Sequence, residues 1–276
     1  MVGSTNAVKR WRALRLRPAA GALLVACALL AGQGKAATTP HQLGLSYQVL
    51  LGPLPVMTVT ADLGMPTSTA ESSYQADIVG KAGGYVGQVY DWSFTARSSG
   101  VARGPRLSPK SFAGENLSAF DNRPVAIAYS KDGVPNPRFD PPRPEDANLK
   151  PRPAQAKGTL DPASAMLSLV RTVAATGSCD ASVQVYDGRR RFDLITHPAG
   201  EELVQPLPRS IYGGPAQRCD LQLKQLDDSR ERLPSQGTAW IGEVAGATIP
   251  VRVELTTELG IVTVDLVKAT AGPPSL

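Results

Sequence analysis

The chain is poor in the residues that most active-site chemistry requires. It has three cysteines and two histidines in 276 residues. Its catalytic and nucleotide-binding motifs are also missing: no G-x-S-x-G, H-E-x-x-H, G-x-x-x-x-G-K or G-x-G-x-x-G occurs. The nearest glycine cluster, Gly83-Gly84 with Gly87, lacks dinucleotide spacing and reads as turn glycine. No cofactor, catalytic residue or metal ligand set is therefore expected. No apolar run is long and clean enough for a mature membrane span, and no coiled-coil, collagen or internal repeat is present. Gly and Pro together make up 50 of the 276 residues, about 18% and below the roughly 25–30% that marks disorder without a period. With 42% hydrophobic residues the chain can bury a core.

Positive charge is concentrated at one end. The formal net charge is +5, yet six of the 29 basic residues (Lys9, Arg10, Arg12, Arg15, Arg17 and Lys35) lie within 1–36, where there is no acid. The remainder holds 23 basic against 24 acidic residues, a net of −1. Such a body offers no broad footprint for phosphate backbones, so no nucleic-acid partner is expected. Residues 1–37 have the layout of a secretory signal. A basic region ends at Arg17, an apolar stretch runs from Ala19 to Gly32, and small residues follow at Gly34, Ala36 and Ala37. Leu24-Val25-Ala26-Cys27 resembles a bacterial lipobox, although the apolar run continues past it to Leu30. Plain cleavage, lipidation at Cys27 and a retained anchor all export residues 38–276. Membrane association is expected only where Cys27 is lipidated. Export implies a periplasmic location.

The exported body retains Cys179 and Cys219. In an oxidising compartment an even pair reads as a disulfide. Its loop of about 41 residues would be worth roughly 4 kcal/mol in the chain-entropy account. A zinc site is the alternative, but it needs more ligands than two distant thiols with His41 and His197 readily supply. Redox catalysis would want a C-x-x-C.

Period-two alternation dominates the body. Leu43, Leu45, Tyr47, Val49 and Leu51 share one strand face; Met57, Val59, Ala61 and Leu63 share a second, and Tyr74, Ala76 and Ile78 a third. Short connections between them predict an antiparallel meander. Asp187-Gly188 suits a two-residue type I′ hairpin turn. It would place Val183, Val185, Phe192 and Leu194 on one face, with Val185 opposite Arg190. Val251, Val253 and Leu255 turn at Gly260 into Val262, Val264 and Leu266. One helix is predicted: Asp161 as N-cap, Pro162 at the first position, then Met166, Leu169, Val170 and Val173, with Gly177 as the stop. A short second helix falls near 83–91. Residues 134–158 hold seven prolines and cannot form a central strand, so they read as a surface crossing. The body, 38–276, reads as one domain.

Arg189-Arg190-Arg191 is the most prominent polar feature. On a strand its members alternate faces, leaving Arg190 toward the apolar side. There it calls for a carboxylate or a ligand anion, or else carries its head into solvent from the hairpin tip. Asp187 and Asp193 are accounted for by the turn and by cross-strand arginine pairing.

Several of these segments together resemble one family: Leu107-Ser108-Pro109, Leu160-Asp161-Pro162, Asp187 through Leu194, Tyr212-Gly213-Gly214-Pro215-Ala216 and Ile249-Pro250-Val251-Arg252. In that order they are similar to the exported proteobacterial domain of unknown function 3108, over roughly residues 43–269. The resemblance implies an envelope protein of unassigned activity, and one branch of that family carries cysteines flanking the hairpin as here. It transfers no catalytic residues.

The fold expected is mainly β: a long curved antiparallel sheet or incomplete barrel with the 161–175 helix on its concave side. By fold-level analogy with lipoprotein carriers, the function expected is non-catalytic binding of a lipid, lipoprotein or cell-wall component. The alternatives are an envelope-integrity scaffold acting through protein contacts, and a hydrolase of envelope polymers.

Overall fold

A computed structural model describes residues 41–65, 71–89, 91–117, 123–144, 146, 153–226 and 236–272. All fall in one compact unit, Thr38–Leu276. The expected leader, with Cys27, lies outside the described residues. The elements are β1 (His41–Leu51), β2 (Leu54–Met65), β3 (Ser72–Ala82), α1 (Gly84–Val89), β4 (Ser93–Arg103), β5 (Arg106–Leu117), β6 (Val125–Tyr129), β7 (Pro135–Phe139), α2 (Pro162–Thr176), β8 (Ala181–Tyr186), β9 (Arg191–Val204), β10 (Gly214–Gln225), β11 (Gln236–Val244), β12 (Ala247–Thr257) and β13 (Gly260–Gly272).

They form one antiparallel sheet of 13 strands in the order β7-β6-β5-β4-β3-β2-β1-β13-β12-β11-β10-β9-β8. Two meanders run outward from a central seam where β1 pairs with β13. The sheet curls until its edges face each other. Tyr186 of β8 packs with Phe112, Val125, Ile127 and Phe139 from β5 to β7, and Arg123 and Arg189 each lie over the Phe139 ring, 5.0 Å from its centroid. The two edges do not pair. The segment before α2 fills the gap: Leu160 N–H donates to Gln184 O and Leu160 O accepts from Tyr186 N–H, both at 2.8 Å. This single parallel bridge caps the β8 edge, which would otherwise offer an open ladder.

α2 lies inside the curl. Asp161 caps its N-terminus by accepting from Ser164 N–H at 2.9 Å, and Gly177 ends it in the left-handed region at φ 69°. Buried residues occur all round its axis, among them Ser164, Ala165, Leu167 and Leu169, as expected for a helix enclosed by a sheet. The Cys179–Cys219 disulfide, with Cα atoms 6.0 Å apart, ties the exit of α2 to β10.

Three expectations need correction. The 186–191 hairpin loop has four residues: Tyr186 pairs with Arg191 and Val185 with Phe192. Asp187 Oδ1 accepts from both Arg189 N–H and Arg190 N–H, at 2.8 and 2.6 Å, so the aspartate closes a wider turn than the dipeptide implies. The register moves by two, so Val183, Val185, Phe192 and Leu194 keep a common face. Part of the proline-rich segment is a strand, β7. As the outermost strand it tolerates Pro135 and Pro137, whose missing donors cost nothing on an open edge. Pro198 sits inside β9, where the ladder to β10 shifts register between Gln217 and Cys219. In β1, Leu50 is buried rather than Leu51, at a register shift against β2.

Candidate functional site

The concave face of the sheet and the side of α2 enclose a cavity of about 390 Å³. β1 contributes Leu43, Leu45 and Tyr47, and β2 contributes Val59, Ala61, Leu63 and Met65. Ala76 and Ile78 come from β3, Ile249, Pro250 and Val253 from β12, and Val264 from β13. Across from them α2 presents Ala163, Met166, Leu167, Val170, Arg171 and Ala174. Large side chains form most of the walls, and Ala61, Ala76, Ala163 and Ala174 are small residues in the lining. The Tyr47 hydroxyl is spoken for: it donates to Pro250 O at 3.0 Å, and burial pushes its phenol pKa up. Among the described lining residues only Arg171 carries a formal charge. Ala174 and Gly246, both exposed, mark where the cavity reaches solvent. Arg171 stands one turn before Ala174, with Nε and Nη2 donating to Gly104 O in the β4–β5 turn at 2.9 and 2.5 Å. Half-burial lowers its pKa.

The void persists because α2 is pinned elsewhere. At its first turn, Asp161 Oδ2 accepts from Ser98 Oγ at 2.9 Å and from Ser164 Oγ at 2.6 Å. With both serine protons committed, Tyr74 must donate its own to Ser164 Oγ, 2.6 Å away. Asp161, Ser98 and Ser164 are fully buried. Desolvation holds the Asp161 pKa above the usual carboxylate value, against the pull of its hydrogen bonds, and pushes Tyr74 up to about 12. The Tyr129 hydroxyl, buried beside them, has no hydrogen-bond partner among the described residues.

A second polar feature lies on the opposite face of the sheet. Arg252 and Asp265 are cross-strand partners on β12 and β13, and Arg252 Nε donates to Asp265 Oδ1 at 2.8 Å. The β9–β10 connection joins this region: Arg209 Nε lies 3.9 Å from Asp265 Oδ2, and Ile211 N–H donates to Leu266 O at 3.1 Å. Trp240, the β11 partner of Arg252, packs into the core.

Arg190 is not part of the cavity. Its Nε pairs with Asp187 Oδ2 at 2.9 Å within its own turn, half-exposed, so the turn supplies the carboxylate that the apolar-side placement called for. Its neighbour Arg189 donates to Arg123 O at 3.0 Å, linking the β8–β9 turn to the segment before β6. His197 sits exposed, 3.7 Å from an exposed Asp180; the side chain of His41 lies outside what is described. Among the described residues no three His, Cys, Asp or Glu side chains converge as for a metal, and no helix is long and apolar enough to cross a membrane. Sequence reasoning named the helix stripe but not Arg171, whose only signal was a lone charge flanking that stripe after Val170.

Comparison with known proteins adds a family. No curated protein matches the chain. A β-barrel-like protein of domain of unknown function DUF1849 from Brucella abortus is 12% identical, over 85% of this chain and 98% of its own, at a TM-score of 0.49. A hypothetical protein from Chlamydia trachomatis is 8% identical over 86% of this chain and 92% of its own, at 0.28. Far more direct is a family model that matches residues 46–267, from β1 through to β13 and so across the whole curled sheet and its enclosed helix. The chain belongs to the family described as protein of unknown function, DUF3108.

Proposed function

We propose that this is an exported, non-catalytic binding protein of the cell envelope that holds a lipid-like ligand between α2 and the concave sheet. One observation carries the reading: the cavity of about 390 Å³ is lined almost wholly by carbon and has the exposed Ala174 and Gly246 in its lining. Small-molecule sites span roughly 300–1,000 Å³ and are predominantly apolar with a few polar groups. On the scale where about 150 Å³ holds benzene, this space takes one acyl chain of on the order of a dozen to sixteen carbons. The disulfide suits an oxidising compartment such as the periplasm. The test is native mass spectrometry of protein purified from its own envelope, followed by lipid extraction. Stoichiometric amphiphile on the wild type, absent from Ala61→Phe, is the supporting result. An empty, fully folded wild type defeats the reading.

A second reading, a scaffold working through protein contacts, has its own observation. Leu54, Tyr85, Val89, Leu259 and Ile261 are exposed around connected turns: Gly52 N–H donates to Ile261 O, and Gly83 N–H to Val56 O, both at 3.0 Å. Ala61→Phe separates the two, since a filled cavity leaves these turns untouched. An envelope phenotype rescued by that variant favours the scaffold.

A further inference from the structure

On α2 the cavity lining is one stripe: Ala163, Met166, Leu167, Val170, Arg171 and Ala174 recur at helical spacing. From Ala163 to Ala174 the helix rises about 16 Å. Along that length, a volume of about 390 Å³ admits one hydrocarbon chain at van der Waals spacing but not two abreast. The lining offers such a chain no polar partner. Among the described lining residues, three carry N–H or O–H groups on their side chains, and each is engaged. Tyr47 donates to Pro250 O at 3.0 Å, and Thr248 gives its hydroxyl to Glu243 on the neighbouring strand. Arg171 is held by Gly104 O at 2.9 Å and by a further interaction. A polar headgroup drawn into this space would lose its water and gain no free partner, which outweighs the benefit of burying one more methylene. We propose, resting on the cavity reading above, that the ligand is a single-chain lipid bound tail first, its headgroup left in water beside the exposed Ala174 and Gly246. Selection is then by chain length and not by headgroup. Each methylene tightens binding while space remains, and those left outside add nothing.

The experiment displaces a neutral dye, phenylnaphthylamine, from the full-length exported protein, with every competitor below its micelle concentration. Fatty acids from octanoate to eicosanoate give the length dependence. Dodecanoate, dodecanol and dodecyltrimethylammonium give the headgroup dependence. Binding is expected to tighten by about fourfold per carbon and to level off at on the order of sixteen carbons. The anionic, neutral and cationic dodecyl chains are expected to agree within about fivefold. Ala61→Leu adds carbon to the lining and is expected to lower the plateau by about three carbons. Near-UV circular dichroism reports that the variant is folded, and Ala61→Val takes its place where leucine unfolds the protein. A larger headgroup difference, or a length series without a plateau, overturns this inference and leaves the cavity reading standing. A plateau that the folded variant leaves in place puts the chain elsewhere and defeats both. If no chain displaces the dye from folded wild type, both fall together.

Discussion

Two regions of α2 solve opposite problems. At the N-terminal turn every group is matched: a carboxylate, two serines and a tyrosine hydroxyl form one sealed network between the helix and strands β3 and β4. Along one side, from Ala163 to Ala174, the same helix faces open space across from the sheet, with Arg171 in the lining. A helix free to slide would close that space, because unfilled volume forfeits dispersion contacts. The contrast teaches that the network and the disulfide hold the helix away from the sheet: one fixes where α2 begins, the other where its exit meets β10. Specificity of position is concentrated in the buried polar network, and vacancy where the helix faces carbon.

The largest way to break this contrast is to release the exit. Replacing Cys179 and Cys219 together by serine is expected to lower stability by about 2–5 kcal/mol. Thermal unfolding with and without reductant measures it, and reductant should then have no effect on the variant. Next comes the network. Ser164→Val removes a donor from a buried carboxylate and the acceptor of Tyr74, at a cost of about 2–3 kcal/mol. The same kind of change two turns on, Thr172→Val, loses only a bond to Ser168 O within the helix and should fall within about 0.5 kcal/mol of wild type. Denaturant titrations of both variants sharpen the comparison; equal losses would end it. Smaller still is a sign test with one substitution. Ala102→Val overfills a packed site outside the cavity and is expected to destabilise by about 1–3 kcal/mol. Ala61→Val enters the vacancy and is expected to be neutral or stabilising by up to about 1 kcal/mol.

The parts of this architecture that were legible in the sequence are those that large side chains or caps encode. Strands β1 to β3 alternate Leu, Val and Tyr with polar residues, and α2 begins and ends with Asp161-Pro162 and Gly177, so period and punctuation agree. Strand β4 was silent for the reason that makes the fold possible. Its buried residues are Ser98 and Ala102, with Gly100 between them. A side chain at Gly100 would strike Ser108 O and the Tyr74 ring. Small residues leave room for an enclosed helix and at the same time erase the hydrophobic period. Strand β7 was hidden by prolines that only an edge position excuses. The ion pair of Arg252 with Asp265 was written as an ordinary outward-facing alternation; what buries it is packing from sequence-distant segments such as the β9–β10 connection. The cavity left no trace at all, since a void is a property of how the concave strands and α2 are spaced and not of any one of them.

The finest probe of the pinned end is a slope with pH. Burial holds the folded Asp161 carboxyl above its unfolded value near 3.9. Between those two values the native state binds more protons than the unfolded one, so stability is greatest below the unfolded pKa and is lost as pH rises through the folded one. Glu71, Asp77 and Asp146 have lowered values from their arginine partners and act in the opposite sense, their contributions fading as pH falls. The total curve therefore mixes signs, and the diagnostic quantity is the difference between wild type and Asp161→Asn. Asparagine keeps the shape and the N-cap acceptor while removing the charge. Subtracting its denaturation profile should leave a component that declines with rising pH from about pH 4, while the exposed carboxylates cancel. A difference curve that instead rises would mean that the serine and backbone donors overcompensate desolvation. The network would then be an anion site that stabilises α2 through charge, rather than a neutral clasp that holds it through geometry.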